Sequence, residues 1–172
     1  MAAALLADAC ARRSLAVSVS SAGFLFDGYP ASDTTTAVMR ERGIDLRAHR
    51  SRIVTAELIA DADLVLTMER RHARDLVVQF EHAEIVHTLK GFATIVTAPS
   101  LAGDSAVDAP SLVRAAAAAR TPVALLGDGG PDEVADPHGR SARMHRRAAD
   151  DIGAAVDAIA AAFVAAIAHR SV

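Results

Sequence analysis

The sequence predicts an α/β domain whose parallel sheet is covered by helices on both faces. Three observations carry that expectation. Short runs with strand character, at Leu15-Ala16-Val17-Ser18-Val19-Ser20, Asp63 to Thr67 and Glu84 to Thr88, alternate with stretches of helical period. This is the succession that builds parallel strands joined by crossover helices. The chain has 172 residues, 52% of them hydrophobic and 23% charged, which suits one compact domain over residues 1–172 and excludes wholesale disorder. The last segment draws one apolar stripe through Met144, Ala148, Ile152, Val156, Ile159, Phe163 and Ile167, a helix fit to lie along one face of the sheet.

Taken in chain order, Ala2, Leu5, Leu6, Ala9 and Cys10 share a helical face, so a helix of about three turns is expected before Ser14, with no capping side chain at its start. Leu15 to Ser20 alternates as a short strand and ends in a Ser-Ala-Gly turn. A loop through Gly28 and Pro30 leads to Ser32 or Asp33 as N-cap of a helix that runs to Arg42, with Gly43 in the left-handed position after it. Asp63 to Thr67 reads as a buried strand, Glu69 to Phe80 as a helix and Glu84 to Thr88 as a further strand. Between Lys90 and Gly130 the signals are weaker: a polar loop from Pro99 to Pro110, a helix from Ser111 to Arg120 and a turn from Gly127 to Asp132.

Composition narrows the function classes. A formal charge of −3 and a pI near 6.1 give no electrostatic reason to expect nucleic acid or an anionic membrane as partner. No run reaches the roughly 18 charge-free apolar residues of a membrane span; the Ala-rich tail comes closest and is cut by Asp157. Asp8, Arg12 and Arg13 interrupt what would have to be a signal sequence, so the expected setting is cytoplasmic. Cys10 is the single cysteine, which leaves no internal disulfide and no multi-cysteine metal site. His72, His82 and His87 have no metal-ligand spacing and are expected at the surface; neither metal nor cofactor is implied.

Four segments carry chemistry when they occur together: Ser20-Ser21-Ala22-Gly23; Gly43-Ile44-Asp45-Leu46 leading into His49-Arg50-Ser51-Arg52; Asp61-Ala62-Asp63-Leu64-Val65-Leu66-Thr67-Met68; and Asp136-Pro137-His138-Gly139. In order and spacing they resemble the low-molecular-weight protein tyrosine phosphatases. The resemblance covers Met1 to about Phe163, apart from Lys90 to Gly130. It implies a three-layer α/β/α domain with a four-stranded parallel sheet in the order 2-1-3-4, strand 1 in the centre. It also implies hydrolysis of a phosphomonoester, on a protein or a small molecule, through a cysteinyl phosphate. Asp136 is the general acid on that reading, because expelling an alkoxide or phenoxide without a proton donor is costly. Ser21 and His49 match positions that hold the phosphate loop in shape by hydrogen bonds. His138 stands where the family carries an aromatic residue and could wall the pocket. Arg50 and Arg52 could attract an anionic substrate.

The nucleophile of the family is missing from this sequence. It belongs to a Cys-x5-Arg-Ser-Pro loop ending the first strand, normally followed by Met-Ala-Glu-Ala-Leu-Leu; this chain opens Met1-Ala2-Ala3-Ala4-Leu5-Leu6. Cys10 cannot replace it. A phosphatase thiolate lies at a helix N-terminus, where free amides lower its pKa, with an arginine six positions on; position 16 is Ala16, and Cys10 falls on an apolar face within the first helix. The expectation is a start placed too late, with the central strand and its loop omitted and the chain inactive alone. A non-catalytic binding protein is the alternative. Arsenate reductase chemistry needs further cysteines to carry a disulfide cascade, and the sequence after Cys10 has none.

Overall fold

A computed structural model describes residues 1–99, 108–121 and 127–168. Among them are α1 (Ala2–Ala11), α2 (Asp33–Arg40), α3 (Ala56–Ala60), β1 (Val65–Thr67), α4 (Arg70–Phe80), β2 (Val86–Thr88), α5 (Leu89–Val96), α6 (Ala109–Ala119) and α7 (Ala142–Ala168). The two strands pair in parallel, Val65 opposite Val86 and Thr67 opposite Thr88. Alternation along β1 sends side chains to two faces. Leu64, Leu66 and Met68 pack on a large core drawn from α1, α2, α5, α6 and α7, while Val65 and Ile85 pack on a smaller one with Ile59 of α3 and Ala73 and Leu76 of α4. Helices on both faces of a parallel sheet make the three-layer α/β/α arrangement.

Local chemistry explains the helix ends. Ser32 accepts the Thr35 amide, as expected of a cap, and Gly43 takes φ +76 beyond the last turn of α2. α1 has no side-chain cap. Along α7 the residues Ile152, Val156 and Ile159 are buried, and the helix packs along α1, α2 and α5. By length and composition α7 could cross a membrane, yet its apolar stripe is the core of this fold. Asp157, the residue that breaks the apolar run, is paired with Arg12 at 3.0 Å and Arg13 at 2.9 Å.

Three expectations require correction. Leu15 to Ser20 forms no strand: Ala16, Val17 and Ser18 are exposed, and only the single parallel bridge Gly23–Ile53 follows it. Alternation alone does not make a strand; its amides and carbonyls need a neighbouring ladder, and among the described residues no ladder includes them. The expected four-stranded order is therefore seen only as the pair β1–β2 among the described residues. α3 and α5 were not foreseen; α3 is opened by Thr55, which accepts the Leu58 amide. Most of the Pro99–Pro110 loop lies outside the described residues.

The third correction is His87, which is 1% exposed rather than at the surface. It sits between Val86 and Thr88 in a strand with all three residues buried, and its ring packs edge-on against Phe92 at 5.0 Å. Among the described residues neither ring nitrogen has a hydrogen-bond partner of good geometry. Burial above all, with the Arg120 guanidinium adding to it and the Glu84 backbone opposing both, lowers its pKa to about 4. The folded state thus holds fewer protons than the unfolded chain between about pH 4 and the ordinary histidine value of about 6.5, so stability falls as pH drops through that window. The loss approaches about 3 kcal/mol. Urea unfolding across that pH range should show this slope, and His87→Leu should flatten it; an unchanged slope in the variant would assign the acid sensitivity elsewhere.

Candidate active site

In parallel α/β folds the site lies beyond the carboxyl ends of the strands. Here those ends are Thr67 and Thr88, and the segment 127–139 is fastened to both. The Val134 amide donates to the Met68 carbonyl at 2.9 Å, and the Val134 side chain is buried. Asp132 Oδ1 accepts from Arg70 Nε at 2.8 Å and Nη2 at 2.6 Å, while its Oδ2 accepts the Thr88 hydroxyl at 2.8 Å. Burial opposes ionisation of Asp132, but the bonds from Arg70 and Thr88 prevail and hold its pKa below the ordinary carboxylate value. Glu133 accepts the Arg70 amide at 3.0 Å and the Gly129 amide at 2.8 Å. It thereby caps α4, whose own N-cap residue Glu69 makes no side-chain cap bond. Lys90 Nζ donates to the Glu133 carbonyl at 3.1 Å.

Asp136 follows this anchor and is exposed, its Oδ1 accepting the His138 amide at 2.9 Å in an Asx turn. Gly139 at φ +69 then turns the chain into α7. His138 is exposed beside Asp136. The carboxylate is therefore presented to solvent on a short arch, fixed by Val134 on one side and by the start of α7 on the other.

His49 lies on the segment after α2, its amide bonded to the Leu46 carbonyl at 3.0 Å. Burial lowers its pKa first, and the charges of the Met1 amine and Arg50 lower it further, so the start of α1 is within its electrostatic reach. The Met1 amine is itself buried, which lowers its pKa. Ser21 is exposed, and its carbonyl accepts Arg52 Nε at 2.8 Å. The bridge at Gly23–Ile53 lays the Ser21 segment beside the one that carries His49. Arg50 is turned to the Arg47 and His49 carbonyls. No hydrogen bond among the described residues joins Ser21, His49 and Asp136 to one another, so the proposed loop-holding pair and the proposed acid stand as separate groups.

Cys10 is 2% exposed in the last turn of α1. Burial raises its thiol pKa, and Arg13 only partly opposes that. A thiol at the wrong end of a helix and kept protonated is a core residue, not a nucleophile. Among the described residues no cluster of three metal-ligating side chains occurs.

This scaffold has known counterparts. A family model described as low molecular weight phosphotyrosine protein phosphatase matches residues 1–102. The chain belongs to the low-molecular-weight phosphotyrosine protein phosphatase family. Within that family it is 40% identical over 73 residues to a probable low molecular weight protein-tyrosine-phosphatase, EpsP of Ralstonia nicotianae, covering 41% of this chain and 50% of that one. The chain thus spans about half the length of the curated relatives it matches. Among solved structures, the YwlE arginine phosphatase with a phosphorylated active-site serine superposes with a TM-score of 0.69 at 27% identity, over 94% of this chain and 84% of that one. YwlE arginine phosphatase from Geobacillus stearothermophilus gives 0.66 at 28% identity, over 93% and 80%.

The sequence singles out Asp136 as a candidate but not the residues that hold its segment. Asp132 was absorbed into the Gly127–Asp132 turn and Glu133 was not singled out, although two acids three and four residues before the candidate acid are themselves a signal. Their partners Arg70 and Thr88 lie 62 and 44 positions from Asp132, and only the fold brings them together.

Proposed function

We propose that this phosphatase-family chain is the body of a phosphomonoesterase acting on phosphorylated protein, with its cysteine nucleophile contributed by sequence preceding residue 1. The observation that carries the reading is the combination of family membership with a sequence that holds no Cys-x5-Arg. The stretch at 15–20, which joins no strand ladder among the described residues, supports a strand entering beside it. In the proposed reaction the thiolate attacks phosphorus, the S–P bond forms as the ester O–P bond breaks, and Asp136 gives its proton to the departing oxygen. Water, losing a proton to the Asp136 carboxylate, then attacks phosphorus and releases inorganic phosphate and the thiolate.

Two substrate residues are candidates: phosphotyrosine, whose ester O–P bond breaks as above, and phosphoarginine, where the N–P bond breaks instead and Asp136 protonates the departing guanidine nitrogen. EpsP is named as a tyrosine phosphatase and YwlE as an arginine phosphatase. His138 in the place of the family's aromatic residue, together with the likeness to YwlE, favours phosphoarginine as the second reading. A cytoplasmic setting is part of the proposal and accords with a free, buried Cys10.

The test is to read the DNA upstream of Met1 and express the chain with the in-frame codons found there. Turnover of p-nitrophenyl phosphate is expected, with phosphotyrosine and phosphoarginine peptides compared in the same assay. Asp136→Asn should lower turnover of substrates with poor leaving groups by roughly 10²–10⁴-fold. An in-frame stop just before Met1, or a lengthened protein inactive on all three substrates, would move the assignment to a non-catalytic binding protein.

A further inference from the structure

We propose that Asp132 is a positioning residue that fixes the arch carrying Asp136 over the carboxyl ends of β1 and β2. This rests on the phosphatase reading for its catalytic consequence, but its structural content stands by itself. Asp136 is exposed, and among the described residues its carboxylate has no partner beyond the His138 amide, so its place is set by the backbone on either side. On one side that backbone is held by Asp132 and its neighbours. A single carboxylate there ties Thr88, the last residue of β2, to Arg70, the first of α4.

The clamp is tightly built. A Cβ at Gly130 would collide with the Arg70 guanidinium and Asp132 Oδ1, and one at Gly91 with the Thr88 hydroxyl. Arg70 and Asp132 side chains are only 20% and 17% exposed, so the pair is shielded from the screening that weakens surface ion pairs. Arg74 adds a second tie from α4, to the Gly127 carbonyl at 2.7 Å and Asp128 at 2.9 Å. Only Ala135 separates the anchored Val134 from Asp136. A general acid must reach the leaving oxygen within hydrogen-bond distance, and a displacement of about 1 Å can cost on the order of 100-fold in rate.

The experiment uses the lengthened chain, with Asp132→Asn and the milder Thr88→Val. The readout is the dependence of kcat on leaving group, p-nitrophenyl phosphate against phenyl phosphate. Asp132→Asn should lower kcat at least about tenfold on phenyl phosphate and much less on p-nitrophenyl phosphate, with KM nearly unchanged, as for a partial loss of Asp136. Thr88→Val should move the same ratio in the same direction by less. Equal loss on both substrates would overturn the proposal and leave Asp132 as a stability residue. Inactivity of the unsubstituted protein would instead sink the phosphatase reading. In that event amide exchange decides the inference: exchange at Val134 and His138 should accelerate in both variants while that of the α7 core at Ile159 holds, and unchanged protection at Val134 and His138 would overturn it.

Discussion

The 172-residue chain should hydrolyse p-nitrophenyl phosphate no faster than buffer. The sequence offers no Cys-x5-Arg, so the nucleophile, the ring of amides for the phosphate and the arginine that forks its oxygens are all missing from it. The acid role proposed for Asp136 would not compensate, because protonating a leaving group is useless without attack on phosphorus. Cys10 is no substitute: it is buried near the end of α1, and its thiol pKa is raised. Cys10→Ser should leave the background rate unchanged. Steady turnover that this substitution abolishes would refute both the assignment of the nucleophile and the reading of Cys10 as core.

The second large effect is on stability. Leu15 to Ser20 joins no strand ladder among the described residues, and Val65 and Leu66 of β1 are only partly buried, whereas every residue of β2 is buried. In a sheet covered on both faces an inner strand should resemble β2. If the preceding sequence supplies a strand between them, about five residues at roughly 1.5–3 kcal/mol per buried apolar side chain contribute on the order of 10 kcal/mol. That is comparable to the whole stability of a domain, about 5–15 kcal/mol. The 172-residue chain should therefore unfold in urea over a broad, weakly cooperative range, and the lengthened chain in one sharp transition at a clearly higher midpoint. A monodisperse monomer of 172 residues with a sharp transition at several molar urea would show that the inner strand is not needed.

How much of this was legible beforehand follows from which interactions are local. Ser32, Gly43 and the stripe of α7 were readable because caps and helical period depend on neighbours within four residues. Leu15 to Ser20 was misread because strand identity depends on a partner that the local pattern does not contain. His87 was misplaced for the opposite reason: the strand was recognised, but a strand covered on both faces buries every residue, polar ones included, and that consequence was not drawn. Asp136 was visible through its motif and Asp132 was not, since its role depends on Thr88 and Arg70 arriving from distant parts of the chain.

The central proposal is that the phosphoryl group is carried by a cysteine outside these 172 residues. It is tested most directly by mixing the lengthened protein, bearing Asp136→Asn to slow breakdown of the intermediate, with p-nitrophenyl phosphate, quenching in acid and locating the phosphoryl group by peptide mass spectrometry. The account predicts one phosphoryl group on the cysteine of a Cys-x5-Arg segment upstream of Met1 and none on Cys10. A phosphoryl group on Cys10, or turnover with no phosphorylated cysteine at all, would contradict it.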